Sequence, residues 1–433
     1  MATASSSHVV ASHPVMFTTQ TPYPLPAQKF MLPASWRRYQ LSQLVNKALA
    51  LAKTVPFDFI VRGEVLRTTL GEWCAEHGVG EEETLELEYI ESVLPPQKMS
   101  DMPHEDWVSS VTCALPGHFL TASYDGHVRA FDYSQTLVAQ SPLHAAPVTS
   151  VCVVPTPADP ADDPNPLIAT SSHDLTAQLS RLSLTGAPAS PLATLHLHTQ
   201  PVSSVASDAA GAHLLTSSWD GLIGLWDTTV PPSDEVPEAA VGPERKKRRK
   251  VGGDGEAGRA KRKAPLAVLK SHTARVSRVA FGPDYTHRPY SCGFDSTVRV
   301  WDVENGVCAH TINAAEKPFL DLALAGDGTT VLAASTDRIV SVYDTRETGT
   351  VAVAAATLPH AATPSCVVAG AEAHQAMTGA YDGVARLWDL RSTKAAMSSL
   401  KVWDGQKKIL SIDWKKGVAA IGGEGGLEVW KVG

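Results

Sequence analysis

From Trp107 to its end the chain is written in short segments that alternate apolar with polar residues. WVSSVTC, HFLTASYDG and HVRAFD open the series, and ILSIDW, VAAIGGEGG and LEVWKV close it. Period-two alternation of small or β-branched residues predicts half-buried strands. Asp-Gly turns such as Tyr124-Asp125-Gly126, Trp219-Asp220-Gly221 and Tyr381-Asp382-Gly383 reverse the chain between them. Residues 15–92 keep another rhythm. Val15–Gln20 and Gln28–Leu32 read as paired strands. Leu41, Leu44, Val45, Ala48 and Leu49 then fall at helical spacing, which predicts one apolar stripe with Ser42 and Gln43 facing out. Phe57–Arg62 reads as a strand, Gly63 as a turn, Leu70–His77 as a short helix and Leu85–Tyr89 as a closing strand. That order fits a ubiquitin-like roll or another small α+β domain.

A constellation recurs within the β-rich part. Asp220 and Trp226, Asp295 and Trp301, and Asp382 and Trp388 share one spacing; Thr216, Ser291 and Thr378 stand four residues before the aspartates. Upstream of each lies a histidine: His198, His272 and His360. Repetition in register, each unit ending in Trp-Asp, marks the WD repeat and its four-stranded blade. Blade one keeps Thr121 and Asp125 with Phe131 for tryptophan. Blade two keeps His144, Thr170 and Asp174 but ends in Ser180-Arg181, and a Pro-rich insertion (PTPADPADDPNP) swells its first loop. Blade five retains only Asp337 and Tyr343, and blade seven is degenerate. The expected fold is therefore an all-β seven-bladed WD40 β-propeller over 107–433, preceded by a small α+β ubiquitin-like domain over 15–92. Residues 1–14 read as a disordered tail. The last strand, Leu427–Val432, leaves no residues for an outer fourth strand. A segment ahead of Trp107, at Tyr89–Pro96 or within the 93–106 linker, is expected to latch the ring. Because Ser/Thr, His and Asp recur together, they read as structural tetrads that satisfy one another, not as one catalytic triad.

Charge adds a separate element. The formal net charge is −8, yet ten of the 37 basic residues lie in two runs: Arg245, Lys246, Lys247, Arg248, Arg249, Lys250, then Arg259, Lys261, Arg262, Lys263. An acidic body remains, a poor generic binder of nucleic acid. The runs sit in a stretch without period, 228–265, that reads as a disordered insertion; their spacing is that of a bipartite nuclear import signal, with an RNA tether or a solvated linker as alternatives. Cys74, Cys113, Cys152, Cys292, Cys308 and Cys366 are scattered without a C-x-x-C pair, which fits buried thiols and no zinc site. No apolar run reaches the length of a membrane span, and neither a P-loop nor a secretory signal is present. The turn Gly80-Glu81-Glu82-Glu83-Thr84 reads from composition as a solvated acidic turn, though an exposed carboxylate there could also complete a partner's Mg²⁺ shell.

PFDFIVRGEVLRTTLGEW, ETLELEY with VLPP, EDWVSS with SYDG, and KRKAPLAVLKSHTARV resemble the ubiquitin-like/WD-repeat ribosome biogenesis factors. The animal form is the WD-repeat member of the PeBoW complex, and the fungal form is Ytm. The resemblance runs from Val15 to the end. It implies a non-enzymatic adaptor in large-subunit assembly, acting on pre-ribosomal particles in nucleolus and nucleoplasm. Its propeller would dock a Bop-type WD-repeat protein joined to pescadillo, and its ubiquitin-like domain would be gripped by the metal-ion-dependent adhesion site of midasin, an AAA+ ATPase. The metal-contacting glutamate falls on Glu82, in a register carried by Gly78, Leu85, Glu88 and Tyr89, with Glu81 and Glu83 as neighbours. The chain would hold no cofactor of its own, the Mg²⁺ belonging to the partner. A ubiquitin-signalling receptor or shuttle is the alternative; the absence of a free Gly-Gly tail after the domain excludes conjugation.

Overall fold

The computed structural model describes residues 11–432 apart from position 52 and segments 157–164, 238–258, 283–287, 314–316 and 347–353. The chain divides into two units: Met1–Pro95 with Trp388–Met397, and Pro96–Leu387 with Ser398–Gly433.

The first unit is built on β1 (Ser12–Thr18), β2 (Lys29–Pro33), α1 (Arg38–Ala48), β3 (Phe57–Val61), β4 (Glu64–Val65), α2 (Leu70–His77) and β5 (Leu85–Glu91). The sheet order is β2-β1-β5-β3-β4, with β5 parallel to β1 and antiparallel to β3. Alternation sends Val15 and Phe17 of β1, and Leu85, Leu87 and Tyr89 of β5, into one core. Leu41 and Val45 of α1 and Leu70, Trp73 and Cys74 of α2 cover it. Tyr89 meets Phe57 edge to face at 5.4 Å, an arrangement worth about 0.5–1.5 kcal/mol beyond burial. Two expectations need correction. Residues 12–14, assigned to the tail, begin β1 because Ser12, His13 and Pro14 pair with Pro33, Leu32 and Met31; residues 1–10 lie outside the described ones. Ser42 does not simply face water, since its Oγ accepts a 3.0 Å bond from the Phe57 amide and ties α1 to β3.

Among the described residues the second unit contains seven sheets of propeller blades, each of four antiparallel strands, with one parallel strand added to blade two. Their first strands are Val108–Thr112, Val148–Val154, Val202–Ser207, Val276–Phe281, Phe319–Leu324, Pro364–Ala369 and Ile409–Lys415. Each touches the next, and the seventh touches the first. A hydroxyl near the start of most of these strands stitches the cycle: Ser109, Thr149, Ser203, Ser277 and Ser365 donate to the carbonyls of Val148, Val202, Val276, Phe319 and Ile409 at 2.6–2.7 Å. Blade seven takes its outer strand from β6 (Gln97–Met102), which pairs antiparallel with Gly426–Lys431. The latch is thus ahead of Trp107 but not at Tyr89–Pro96. Tyr89 is committed to the first unit's core, and β5 runs on to Glu91.

The basic insertion is the larger correction. Residues 238–258, with Arg245, Lys246, Lys247, Arg248, Arg249 and Lys250, lie outside the described ones, as do residues 157–164 of the Pro-rich loop. The second cluster is folded: Lys261–Lys263 form a fifth strand on blade two, parallel to Ser190–Leu195. Asp234 accepts from the Arg262 amide at 2.8 Å and Glu235 from the Ala264 amide at 2.9 Å. Lys263 is fully buried, its Nζ on the Asp227 carboxylate and the Thr229 carbonyl. A sequence reading sees only the charge of Lys263; its apolar stem and one specific carboxylate make burial favourable.

Candidate functional site

Blades three and four build the expected tetrad, and blade two, with Ser180 in the tryptophan's place, builds its histidine, hydroxyl and aspartate part. His144, His198 and His272 place Nδ1 on Asp174, Asp220 and Asp295 at 2.8, 3.2 and 2.9 Å. Their Nε2 atoms meet Thr170, Thr216 and Ser291 at 2.8, 2.9 and 2.7 Å. Trp226 and Trp301 donate Nε1–H to Thr216 and Ser291 at 2.9 and 2.8 Å. Thr216 and Ser291 thus accept from the indole and donate to Nε2, leaving Nδ1–H for the carboxylate. Burial opposes ionisation of Asp295, yet hydrogen bonds from His272, Thr297 and the Thr273 amide hold its pKa at about 2. The histidine, hydroxyl and aspartate of these blades engage one another, the arrangement a low-dielectric interior demands, whereas the Ser180 hydroxyl in the tryptophan's place of blade two is buried without a partner among the described residues.

Blade six departs from expectation. His360 meets Thr378 at 2.7 Å, but its Nδ1 donates to the Leu358 carbonyl at 2.9 Å, and Arg386 clasps Asp382 at 2.7 Å. Trp388 is buried as expected. Blade one shows the same variant through a residue the repeat reading missed. His104 meets Thr121 at 2.9 Å and donates to the Met102 carbonyl at 3.0 Å, while Arg129 holds Asp125 at 2.6 Å. In both, an arginine four residues after the aspartate takes the carboxylate and the histidine turns to a carbonyl. The spacing alone does not mark the variant, because blade four carries the same pair, Asp295 and Arg299 at 3.5 Å, while His272 keeps its bond to the aspartate. Burial, opposed by the Leu358 bond and reinforced by Arg386, lowers the His360 pKa to about 4. The unfolded chain binds that proton first, so the stabilisation is present above pH 6.5 and lost as pH falls toward 4. The fall from 6.5 to about 4 is worth about 3 kcal/mol. His360→Gln should therefore lose about 2–3 kcal/mol less than the wild type between pH 7 and 4.5 in urea melts; equal losses would contradict this assignment.

Blade seven is not a decayed repeat. Ile421 faces Glu428 as Thr216 faces Gly224, which puts Ile421 in the hydroxyl's place. By the same alignment Gly425 holds the aspartate's place, Trp430 the tryptophan's and Trp403 the histidine's. Glu428 is fully buried and gathers the Trp430 indole at 2.9 Å, the Trp403 amide at 3.2 Å and Lys98 Nζ at 2.6 Å. Trp403 and Asp404 enter with left-handed φ of 44° and 57°, strained for such side chains. A Cβ on Gly425 would lie 2.4 Å from the Trp403 indole. The tetrad is replaced by a second solution in which a carboxylate joins the last blade to β6.

The acidic turn is shaped by what precedes it. Thr69 and Glu72 form a reciprocal capping box at the start of α2, with bonds of 3.1 and 3.0 Å. Gly78 ends the helix in a left-handed conformation, φ 64°, the role for which glycine is suited. Val79 returns to the core and bonds the Cys74 carbonyl at 2.9 Å. A turn from Gly80 to Glu83 closes at 3.2 Å, and buried Leu85 then starts β5. Glu81, Glu82 and Glu83 are exposed on this pinned turn. Arg62 takes Glu83 at 2.5 Å. Among the described residues Glu81 and Glu82 have neither hydrogen bond nor ion pair. No grouping of three or more His, Cys, Asp or Glu among the described residues could enclose a metal, so Glu82 could serve only as one ligand to an ion held elsewhere. The six cysteines are unpaired, and burial pushes the Cys152 and Cys366 thiols up to about 12.

An arc of rings was not foreseen. Tyr124, His173, Trp219 and Tyr381 line the central channel with side chains of the first strands. Trp107–Tyr124, Tyr124–His173 and His173–Trp219 follow at 6.1, 6.4 and 5.4 Å. Arg275 lies over Trp219 and Phe294 at 5.3 and 3.3 Å, and Lys408 over Trp107 and Tyr381 at 5.5 and 5.8 Å. The residue before the blade aspartate supplies five of these rings, so the position was legible once the register was fixed.

Residues 14–74 match the NLE (NUC135) domain model, and 97–132, 189–227 and 263–302 match the WD domain, G-beta repeat. Each matched WD segment starts with the outer strand of one blade and runs through three strands of the next. The sequence unit is thus offset from the blade by one strand, which is why the ring closes with β6. These matches define a protein in which an NLE domain precedes WD repeats. It is 59% identical over 437 residues to "Ribosome biogenesis protein YTM1" of Laccaria bicolor, covering 99% of this chain and 96% of that one. The protein of the same name from Coprinopsis cinerea is 60% identical over 432 residues (97% and 94%), and that from Neosartorya fischeri 30% over 470 residues (98% and 91%). The chain belongs to the YTM1 family.

Proposed function

We propose that this chain is a non-enzymatic adaptor in assembly of the large ribosomal subunit. The seven blades, read as one closed ring, hold a Bop-type WD-repeat partner and through it pescadillo. The first unit, read as a ubiquitin-like roll, offers Glu82 to the Mg²⁺ in the metal-ion-dependent adhesion site of midasin, which then draws the complex off the pre-ribosomal particle. The observation that carries this is the pinned turn: Glu83 is engaged by Arg62, whereas Glu82 stands exposed and unpaired. Support for docking comes from the aromatic arc, since contiguous exposed Trp, Tyr and Arg mark protein interfaces. The His, hydroxyl and Asp groups that could suggest hydrolysis recur blade after blade and bind one another. The test is gradient sedimentation of tagged protein. It should travel with large-subunit precursors and the Bop-type partner; travel with proteasome or ubiquitin ligase instead would overturn the reading.

Nuclear entry is assigned to Arg245–Lys250 alone. The second basic cluster is strand on blade two, with Lys263 buried. Replacing the six residues of the first run by Gln should leave the protein cytoplasmic by fluorescence with an unchanged melting temperature. Replacing Lys261, Arg262 and Lys263 should lower the melting temperature. Nuclear accumulation that survives the first substitution refutes the import role.

A further inference from the structure

We propose that the grip and the ring's closure are mechanically wired together: a pull on the first unit is delivered to β6, which peels from blade seven and opens the ring. The idea rests on the reading of the first unit as the ATPase's grip, but its physics is independent of that partner. β5 ends at Glu91 and β6 begins at Gln97. The five residues between include Pro95 and Pro96. So short and Pro-stiffened a link spans at most about 18 Å and takes up little extension. The first unit also holds Trp388–Met397 through Arg391 on Glu88 and Lys394 on Glu64; once these exposed or half-exposed pairs yield, load enters β6 at its first residue, where Gln97 pairs with Lys431. Because the strands are antiparallel and pair at that end, separation breaks the ladder one pair at a time.

β6 is built to be the weakest strand of its blade. Only Met102 is buried; Gln97, Lys98, Met99 and Asp101 are exposed. Pairing is interrupted at Met99, opposite the step from Val429 to Trp430. A strand with few apolar contacts and exposed main-chain bonds opens at low free energy. One contact resists early in the path. Lys98, the second residue, binds buried Glu428 at 2.6 Å. Stripping it away leaves the carboxylate without its cation, so the pair sets the threshold of opening. Past it, Met102 leaves the cluster of Val108, Phe119, Leu427 and Val429 that joins blades one and seven.

The test is an optical trap on the full chain, with one handle on a click-reactive residue at position 82 and the other after Gly433. The wild type should show a first step of about 20 Å, the length of six extended residues. Lys98→Met should move that step to lower force. A disulfide between the paired positions 100 and 429, made by Ser100→Cys with Val429→Cys, should abolish the step when oxidised and restore it when reduced. A first step that persists with the staple closed, or whose force ignores Lys98→Met, overturns the coupling. The reduced staple and a thermal melt of each variant separate misfolding from a true null result. No ATPase is present in the trap, so failure there leaves the role of Glu82 standing, while failure of the Glu82 capture experiment leaves the mechanical result standing.

Discussion

Glu82→Ala should abolish capture by the isolated adhesion-site domain of midasin in Mg²⁺ buffer, while the Bop-type partner still co-purifies in full. The side chain is exposed and touches nothing that stabilises the fold, so the stability change should stay within about 0.5 kcal/mol. Binding is another matter. A hard divalent cation wants oxygen donors at about 2.0–2.1 Å, and an anionic donor at an open position contributes charge as well as geometry. Glu82→Gln keeps length and loses charge; Glu82→Asp keeps charge but falls about one methylene, roughly 1.5 Å, short of a contact whose tolerance is near 0.2 Å. Both should weaken capture at least tenfold. Glu81→Ala and Glu83→Ala are the register controls. Glu83 is engaged by Arg62 at 2.5 Å, an exposed pair of little energetic weight, and its removal should leave capture within a few-fold of wild type. Capture lost with Glu81→Ala and kept with Glu82→Ala would shift the role by one residue; capture kept in all three would remove the turn from the interface.

How much could be read in advance depends on whether a residue's role is local. The tetrads of blades three and four were legible because four residue types at fixed spacing must share one blade, and the folded chain brings His198 to Thr216 and Asp220, and His272 to Ser291 and Asp295, at 2.7–3.2 Å. His104 was missed because it precedes the first tryptophan of its blade, in a stretch assigned to a linker. Trp403, Gly425, Glu428 and Trp430 were missed for a different reason: they replace every member of the motif at once, so no spacing survives to be matched. Lys261–Lys263 were misread since strand formation there depends on partners remote in sequence: Asp227, which takes the Lys263 ammonium, and Asp234 and Glu235, which take the Arg262 and Ala264 amides. In the first unit α2 was placed to the residue, having a capping box and a terminal glycine, whereas β1 was begun late because its first residues are held by pairing with β2 and not by an apolar pattern. The exposure of Glu82 follows from acidic composition; its lack of an internal partner does not, because that required knowing where Arg62 reaches.

Restoring the repeat consensus in blade seven should damage the protein. Gly425 occupies the place where blades two, three and four carry Asp174, Asp220 and Asp295, so a reading by consensus makes Gly425→Asp a stabilising change. The structure argues the reverse on three counts. The new Cβ would fall 2.4 Å from the Trp403 indole, and overpacking of that kind costs about 1–3 kcal/mol. The carboxylate would enter a half-buried site without the histidine its counterparts use, and a polar group poorly compensated there adds about 1 kcal/mol or more. It would also join buried Glu428, which already binds the Trp403 amide and Trp430 indole, and like charges in one site repel. The Trp403 indole nitrogen is buried without a hydrogen bond and could donate to the newcomer only after the ring has moved. Gly425→Asp should therefore lose about 3–5 kcal/mol in urea unfolding, and Gly425→Ala about 1–3 through the steric term alone. Trp403→His by itself should also destabilise, by about 2–4 kcal/mol, since it empties volume around Gly423 and Gly425. Combined with Gly425→Asp it rebuilds the His–Asp pair of the complete blades, so the double variant should be more stable than the sum of the two changes by more than about 1 kcal/mol. Additive losses would mean that Trp403 and Gly425 are not one compensated pair, and a gain from Gly425→Asp alone would mean that the last blade is a decayed repeat after all.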